Sequence, residues 1–237
     1  MSLGRVHLIP VPLAENAVDT IPEAVRQQAC RLKYYFVEQV RTARRWLKAY
    51  DKEVVIDEIT FAEVNKQQSA DKALLREWLK AGHDVGIMSE AGCPAIADPG
   101  SELVACAQEL GATVVPYTGP SSILLALMAS GFNGQGFRFL GYLPVKEPMR
   151  SKALKELEQI AQQKQETQIF IETPYRNNQL LEEALKALNP QKTKLCIAVD
   201  ITAETASVQT RTIGEWSKHK PDLHKRPAIF LIHPAQS

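Results

Sequence analysis

The segment that decides the fold runs from Asp84 to Gly100 and reads DVGIMSEAGCPAIADPG. Its first five residues form a short apolar run typical of a buried strand, and a helical pattern follows Gly100. Between them, two glycines and two prolines favour an irregular loop whose backbone can approach a ligand closely. Because ligands of open α/β sheets bind at the carboxyl ends of strands, Ser89–Gly100 is a candidate site. The alternative is an ordinary connecting loop whose glycines serve only its geometry.

Strands and helices alternate along the sequence, which predicts α/β architecture with a mainly parallel sheet in the first half. The predicted strands are Arg5–Ile9, Tyr34–Val37, Val54–Ile59, Asp84–Met88, Thr113–Pro116, Phe137–Tyr142, Gln168–Glu172, Lys194–Val199, Ser207–Thr212 and Ala228–His233. The predicted helices are one opened by Thr20 as N-cap, then Thr42–Tyr50, Ala70–Lys80, Glu102–Leu110, a largely buried Ser121–Ser130, Glu147–Gln163 and Asn177–Leu188. A hairpin pattern after Ala206 predicts a mixed sheet in the second half. We therefore expect two tandem α/β domains, 1–117 and 118–237.

The composition is that of a folded protein without a strong global field. The 237 residues are 45% apolar and carry a net charge of +1, so any RNA contact requires a local basic patch. Four scattered cysteines and five histidines without ligand spacing predict no metal site and fit a reducing compartment. The N-terminus has no signal-peptide pattern, and no apolar run approaches the roughly 20 residues that span a bilayer. We expect a soluble, cytoplasmic protein.

Two further loops carry chemically useful groups. Gly119–Ser122 opens a helix, where free N–H groups beside Ser121 or Ser122 suit a carboxylate or ribose oxygen; simple capping by Ser121 is the alternative. Glu172 and Arg176 lie together at a strand end, as a substrate clamp or proton-handling pair, or as a structural ion pair. Neither Gly119–Ser122 nor Ser89–Gly100 matches a dinucleotide or Walker pattern.

Three basic clusters are candidate phosphate contacts, with a solvated helix face as the alternative for each. The clusters are Arg41/Arg44/Arg45/Lys48, Lys146/Arg150/Lys152 and Lys218–Arg226.

Taken in order, these segments resemble the class III S-adenosylmethionine (SAM)-dependent methyltransferases, which share the tetrapyrrole methylase fold. The resemblance is nearest to the bacterial rRNA small-subunit methyltransferase I group, which methylates a ribose 2′-oxygen of 16S rRNA. It rests on Ala-Gly-x-Pro-x-x-x-Asp-Pro-Gly followed by Gly-Pro-Ser, Gly-Tyr-Leu-Pro and Glu-x-Pro-x-Arg, and it covers nearly the whole chain. The matching stretches are Glu38–Leu47, Glu63-x-Asn65, Ser89–Gly100, Gly119–Gly131, Phe137–Pro144 and Glu172–Arg176.

The resemblance implies a homodimer that binds SAM between its two domains and releases S-adenosylhomocysteine. The cofactor contacts it implies are Leu13, Gly92, Cys93, Ile96, Ser121, Ser122, Ala198, Pro227 and Ala228. For catalysis, a ribose hydroxyl would benefit from a carboxylate base. Glu172 is the candidate base, and Asp200 is a weaker one. Arg176 and Arg41 would hold phosphate or substrate, with Glu38 and Glu63 orienting them.

Several positions depart from the family pattern, mostly on the side of the methyl acceptor. The usual aspartate and threonine of the main loop are Glu90 and Cys93, the aspartate after the first glutamate is Gln39, and the histidine before Arg176 is Tyr175. Three hypotheses therefore stand: an rRNA 2′-O-methyltransferase, a methylase of a tetrapyrrole-like or other small molecule, and a SAM-binding protein without catalysis.

Overall fold

A computed structural model describes residues 2–64 and 70–235. It divides into two compact units, Met1–Ser121 and Ser122–Ser237. The domain boundary expected from the sequence, between 117 and 118, lies slightly earlier than this division. No helix in the described residues has the length and apolar character needed to cross a membrane.

The first unit is built on a five-stranded, wholly parallel sheet with strand order β3-β2-β4-β1-β5. Its strands are β1 (Val6–Leu8), β2 (Tyr34–Val37), β3 (Thr60–Glu63), β4 (Val85–Met88) and β5 (Val114–Pro116). Its helices are α1 (Glu23–Arg31), α2 (Val40–Tyr50), α3 (Lys72–Lys80) and α4 (Ser101–Leu110). Alternate residues of β2 enter the cores on opposite faces: Tyr35 packs with α1 and α2, and Phe36 with α3 and α4. The predicted parallel sheet is confirmed.

Two predictions in the first unit are wrong. Residues Val54–Ile59 form no strand: a 3-10 turn covers Ile56–Glu58, and the strand begins at Thr60. Val54 and Ile59, at the two ends of this segment, are buried, and the turn between them is largely exposed. The apolar residues at both ends produced the pattern of a strand in the sequence. Thr20 does not cap α1, because its hydroxyl donates to the carbonyl of Ala17 at 2.6 Å and closes a separate 3-10 turn.

The second unit contains a mixed five-stranded sheet with strand order β6-β7-β10-β8-β9. Its strands are β6 (Phe137–Tyr142), β7 (Thr167–Ile171), β8 (Thr193–Val199), β9 (Ser207–Thr212) and β10 (Ala228–Pro234). Its helices are α5 (Ser122–Ser130), α6 (Met149–Lys164), α7 (Asn177–Ala187) and α8 (Ile213–Lys218). Only β6 and β7 pair in parallel; β10 and the β8–β9 hairpin add antiparallel strands, as predicted. Helices α6, α7 and α8 cover one face of the sheet, and α5 packs on the other.

Helix α5 is less buried than its apolar sequence predicts. Ala126 and Leu127 pack against the sheet, whereas Leu124 is 50% exposed and Met128 79% exposed. The prediction of a largely buried helix is therefore wrong, because only one side of α5 has a partner within its unit. Helix α8 was not predicted at all, although its Thr-x-x-Glu capping box, Thr212 with Glu215, is visible in the sequence.

Strand β4 requires glycine at position 86. A Cβ atom there would lie 2.2 Å from the ring of Tyr35, which is fully buried and donates a hydrogen bond to the carbonyl of Ala29. We expect Gly86→Ala to lower the free energy of unfolding by about 1–3 kcal/mol, because the ring has nowhere to move. Denaturant unfolding measures this. Gly134→Ala, which meets no atom within 4 Å, is the matched control, and equal stabilities of the two variants would contradict the packing argument.

Candidate active site

Two loops at the carboxyl edge of the first sheet are joined by a pair of main-chain hydrogen bonds. The N–H of Val11 donates to the carbonyl of Gly92 at 2.9 Å, and the N–H of Gly92 donates back at 3.0 Å. This isolated antiparallel bridge joins the loop after β1 to the loop after β4. Both loops are thereby held at the sheet edge where open α/β folds bind ligands.

The loop after β5 reaches the same place and leaves no room for side chains. A Cβ on Gly119 would lie 2.2 Å from the Cβ of Pro10. At Gly92, whose φ of +75° also favours glycine, a Cβ would lie 3.2 Å from the side chain of Leu13. The thiol of Cys93 lies 3.5 Å from the carbonyl of Pro120, and burial raises the pKa of this thiol, so it is protonated and acts as a donor.

The turn after Cys93 presents an apolar side chain to its surroundings. The side chain of Ile96 is 53% exposed. Its main chain is held in the turn by a hydrogen bond from its N–H to the carbonyl of Cys93 at 3.4 Å. Its neighbours Ala95 and Ala97 both have left-handed backbone, with φ of 66° and 63°. Such conformations cost roughly 1–2 kcal/mol each and cluster at ligand-binding sites. The turn therefore combines a strained backbone with an uncovered apolar group, and both are features of ligand-binding sites.

Three of the expected catalytic residues, Glu38, Glu63 and Arg41, lie at the same sheet edge. The two glutamates accept hydrogen bonds from main-chain N–H groups of neighbouring segments. A carboxylate oxygen of Glu63 accepts from the N–H of Val40 at 3.0 Å, at the start of α2. Glu38 accepts from the N–H of Glu90 at 3.3 Å. Arg41 is exposed in the first turn of α2 and makes no ion pair with any residue in the described ranges. Asn65, part of the motif around Glu63, lies outside the described residues.

The rest of the basic face of α2 is engaged in local contacts. Arg45 pairs with Glu15 at 2.9 Å, and Arg44 with Asp57 at 3.3 Å. Lys48 donates to a main-chain carbonyl four residues further on. Exposed ion pairs of this kind are weak, so a phosphate could compete with them for the same side chains. Of the four basic residues of this helix face, only Arg41 makes no such contact among the described residues.

In the second unit, the end of β7 carries a carboxylate held between two arginines. Glu172 is buried, and one of its oxygens accepts from Arg150 at 3.1 Å. The other accepts from Arg176 at 2.7 Å and from the N–H of Thr173 at 2.6 Å. Burial alone would raise the pKa of Glu172, but these hydrogen bonds and the two cationic charges outweigh it, and the pKa lies below its ordinary value. The sequence-predicted pair Glu172–Arg176 is thus in direct contact.

Arg150 is the residue whose role sequence reasoning missed. It was placed in an exposed basic cluster with Lys146 and Lys152, and that placement is wrong because Arg150 is completely buried. Its guanidinium reaches Glu172, Glu183 at 3.2 Å and the carbonyl of Pro144 at 2.7 Å. No local sequence signal marks this role, because the acidic partners Glu172 and Glu183 lie more than 20 residues further along the chain.

Three of the four expected cofactor contacts of the second unit lie next to one another at its sheet. Val199 of β8 pairs with Ala228 of β10, which places Ala198, Pro227 and Ala228 together. The N–H of Asp200 donates to the carbonyl of Pro227 at 3.0 Å and fixes the loop that follows β8.

That loop has its own strain and an unsatisfied hydroxyl. Asp200 and Thr202 have left-handed φ values of 49° and 74°. The carboxylate of Asp200 is held by Arg226 and by the hydroxyl of Thr205. The hydroxyl oxygen of Thr202 is buried and has no hydrogen-bond partner among the described residues.

Each unit thus offers features that fit a cofactor such as SAM. The first provides closely approaching glycine loops and exposed Ile96. The second provides the hydroxyl of Thr202, which has no hydrogen-bond partner among the described residues and lies in the loop that follows β8. Ser121 ends the first unit and Ser122 begins α5 in the second. Within residues 2–64 and 70–235, no three His, Cys, Asp or Glu side chains are grouped as a metal site requires.

Known proteins resemble this chain in sequence and in fold. A family model described as tetrapyrrole (corrin/porphyrin) methylases matches residues 13–216. The chain belongs to the tetrapyrrole methylase family. Ribosomal RNA small subunit methyltransferase I of Bacillus subtilis is 30% identical over 219 residues, which are 90% of this chain and 69% of that protein. The chain is thus a SAM-dependent methyltransferase by family.

Solved structures show the same fold as this methylase. The methyltransferase CobJ matches with a TM-score of 0.63 at 14% identity, covering 98% of this chain and 95% of that one. The uroporphyrin-III C-methyl transferase of Thermus thermophilus, solved with S-adenyl homocysteine, matches with a TM-score of 0.55 at 18% identity and 97% coverage of both chains. At these identities the likeness shows the fold alone, and the two α/β units predicted from the sequence are confirmed.

The charge on Glu172 has a measurable effect on stability. We expect Glu172→Gln to lower the free energy of unfolding at pH 7 by about 3–5 kcal/mol, because it leaves the buried Arg150 without a full partner. Since the folded pKa of Glu172 lies below the ordinary 4.5, its stabilisation is complete above that pH and is lost as the pH falls through the depressed value. Denaturant unfolding from pH 7 to pH 3 should therefore show the gap between wild type and variant closing at the acid end.

The matched control for this prediction is Glu182→Gln, an exposed glutamate of the neighbouring helix. It should change stability by less than about 0.5 kcal/mol at any pH. A loss for Glu172→Gln no larger than that of the control, or a gap independent of pH, would contradict the anchoring of Glu172.

Proposed function

We propose that this methylase transfers a methyl group from SAM to a ribose 2′-hydroxyl of small-subunit ribosomal RNA. The observation that carries the proposal is the 30% identity, over 90% of the chain, to a ribosomal RNA small subunit methyltransferase I. The cations Arg41 and Arg176 support it, since each stands at the carboxyl edge of its sheet, where a phosphate-bearing substrate would be met. The tetrapyrrole methylase likeness, at 18% identity or below, supports the fold and gives no separate support to a tetrapyrrole substrate.

The cofactor would be held mostly by main chain. In the first unit, Leu13, Gly92, Cys93 and Ile96 stand in the loops joined by the Val11 bridge, and Ile96 offers the apolar surface. In the second, the loop beyond Ala198 and the Pro227–Ala228 pair would contribute, with Ser121 and Ser122 at the start of α5. SAM supplies an electrophilic methyl group on a positively charged sulfur.

For Glu172 we propose a positioning role rather than that of the base. Both of its oxygens accept hydrogen bonds and its pKa is lowered, so it is a weak proton acceptor near neutral pH. Its fixed charge instead directs the guanidinium of Arg176, which is partly exposed and free to contact a phosphate. Because an in-line transfer gains much of its rate from alignment, a cation fixed in this way contributes by orienting the substrate.

Glu38 and Glu63 would act on Arg41 in a corresponding manner. Glu63 fixes the first turn of α2, from which Arg41 projects, and Glu38 fixes the loop at Glu90 beside that turn. The site proposed here is therefore a set of cations held by carboxylates. We further propose that the protein works as a homodimer in the cytoplasm, where the small ribosomal subunit and its rRNA are found.

Cofactor binding tests the proposed role of the glycine loops. We expect titration calorimetry to show SAM binding to the wild-type chain, and Gly119→Ala to weaken it by about tenfold or more, because the new Cβ displaces Pro10 and the loop leading to Leu13. Gly134→Ala should bind as the wild type does. Absence of SAM binding in folded wild-type protein would overturn the whole proposal. Equal affinity of Gly119→Ala and Gly134→Ala for SAM would show only that the loop at Gly119 takes no part in cofactor binding.

Ribose methylation of 16S rRNA tests the acceptor. In a strain that lacks this chain, we expect one 2′-O-methyl group to disappear from the map and to return when the wild-type gene is supplied. Arg176→Met should restore much less methylation than Lys186→Glu, which changes an exposed cation at the far end of the same helix. An unchanged methylation map in the deletion strain would rule out the rRNA substrate.

A further inference from the structure

An aromatic ring projects from the loop after β7. Tyr175, which lies between Glu172 and α7, is 72% exposed. Its one aromatic neighbour among the described residues is His224, at 6.4 Å between ring centroids and an interplanar angle of 76°. That contact is edge to face, so the two rings do not stack on one another. The face of the Tyr175 ring is therefore open to solvent and available for stacking.

The ring stands next to a basic segment, residues 218–226, which four hydrogen bonds fix to the start of α7. Three of the bonds join the side chains of Asn177 and Asn178 to this segment, at 2.6–2.8 Å. The fourth runs from the N–H of Lys225 to the carbonyl of Pro174 at 3.0 Å. Because Asn177 is completely buried, the segment is held in place before any ligand arrives.

The charges that this segment shows to solvent are mostly positive. Lys218, Lys220 and Lys225 are exposed, and none forms an ion pair with another residue in the part of the chain that the structure describes. Its other cation, Arg226, is paired with Asp200 at 2.8 Å. The one acidic group, Asp222, is occupied by the amide of Asn178 and the N–H of His224.

We propose that Tyr175 and residues 218–226, together called the basic shelf, bind a single-stranded stretch of RNA, with one base stacked on the tyrosine ring and lysines on the flanking phosphates. This rests on the proposed function, and it names where the rRNA substrate is held. An aromatic face beside unpaired cations is the combination that proteins use for single strands, since the bases of a duplex are already stacked on one another. The family's histidine at this position would also present an aromatic ring.

Binding of a labelled, unstructured single-stranded RNA oligonucleotide to the full chain, followed by fluorescence anisotropy, tests the basic shelf. We expect Tyr175→Ala to raise the Kd about tenfold, and Tyr175→Phe to stay within about twofold because it keeps the ring. Lys225→Glu should weaken binding and reduce the slope of log Kd against log salt by about one. The controls are Phe137→Ala, an exposed aromatic residue on β6, and Lys186→Glu, an exposed cation on α7, and both should bind as the wild type does.

Equal binding by Tyr175→Ala and the wild type, an equal loss in Tyr175→Phe, or preference for anionic lipid vesicles over RNA would overturn the basic shelf. Methylation of small ribosomal subunits by the same proteins separates this result from the proposed function. If the wild type methylates subunits and Tyr175→Ala does so with unchanged KM, the shelf is wrong and the function stands. If Tyr175→Ala loses RNA binding but the wild type methylates no rRNA, the shelf stands and the function is wrong.

Discussion

The reciprocal hydrogen bonds between Val11 and Gly92 are the constraint on which the first unit's site depends. They bring the loops after β1 and β4 within main-chain contact, so the loop after β5 must pass without a side chain at Gly119. Loops packed this closely present carbonyl and N–H groups rather than side chains. A site built in this way recognises a ligand by shape and backbone polarity, which suits a cofactor that serves many chemistries within one fold.

In the second unit, buried ion pairs rather than main-chain hydrogen bonds hold the candidate site in place. Glu172 lies between Arg150 and Arg176, and Arg150 also reaches Glu183, so carboxylates and guanidiniums alternate along the cluster. Burying such groups is costly and is offset only when every member has partners. Arg150 is wholly enclosed, whereas Arg176 is partly exposed at the end of the same chain of contacts. The inner cation therefore serves the fold, and the outer one is available to a substrate.

Sequence patterns were most reliable where a single local signal sufficed. Apolar runs such as Tyr34–Val37 predicted the strands of the parallel sheet, and the pattern after Ala206 predicted the β8–β9 hairpin. Sequence patterns failed where the burial of a residue depends on partners that are distant in the sequence. Helix α5 is apolar on all sides but packs against the sheet on only one of them, and Arg150 is charged but completely buried. The contact between Glu172 and Arg176 was visible from their spacing, whereas the second arginine on Glu172 comes from another helix. No local pattern reports such a neighbour.

Three of the residues that depart from the family motifs make hydrogen bonds within the first unit. Cys93, in place of threonine, places a weak donor against the carbonyl of Pro120. Glu90, in place of aspartate, keeps its acid, and its N–H is the group that Glu38 binds. Gln39, in place of aspartate, carries no charge and accepts from the hydroxyl of Thr42 at 2.8 Å. These three residues are thus engaged in contacts within the first unit. Tyr175 differs from them because it is 72% exposed, so a replacement at this position changes the surface of the protein rather than its internal contacts.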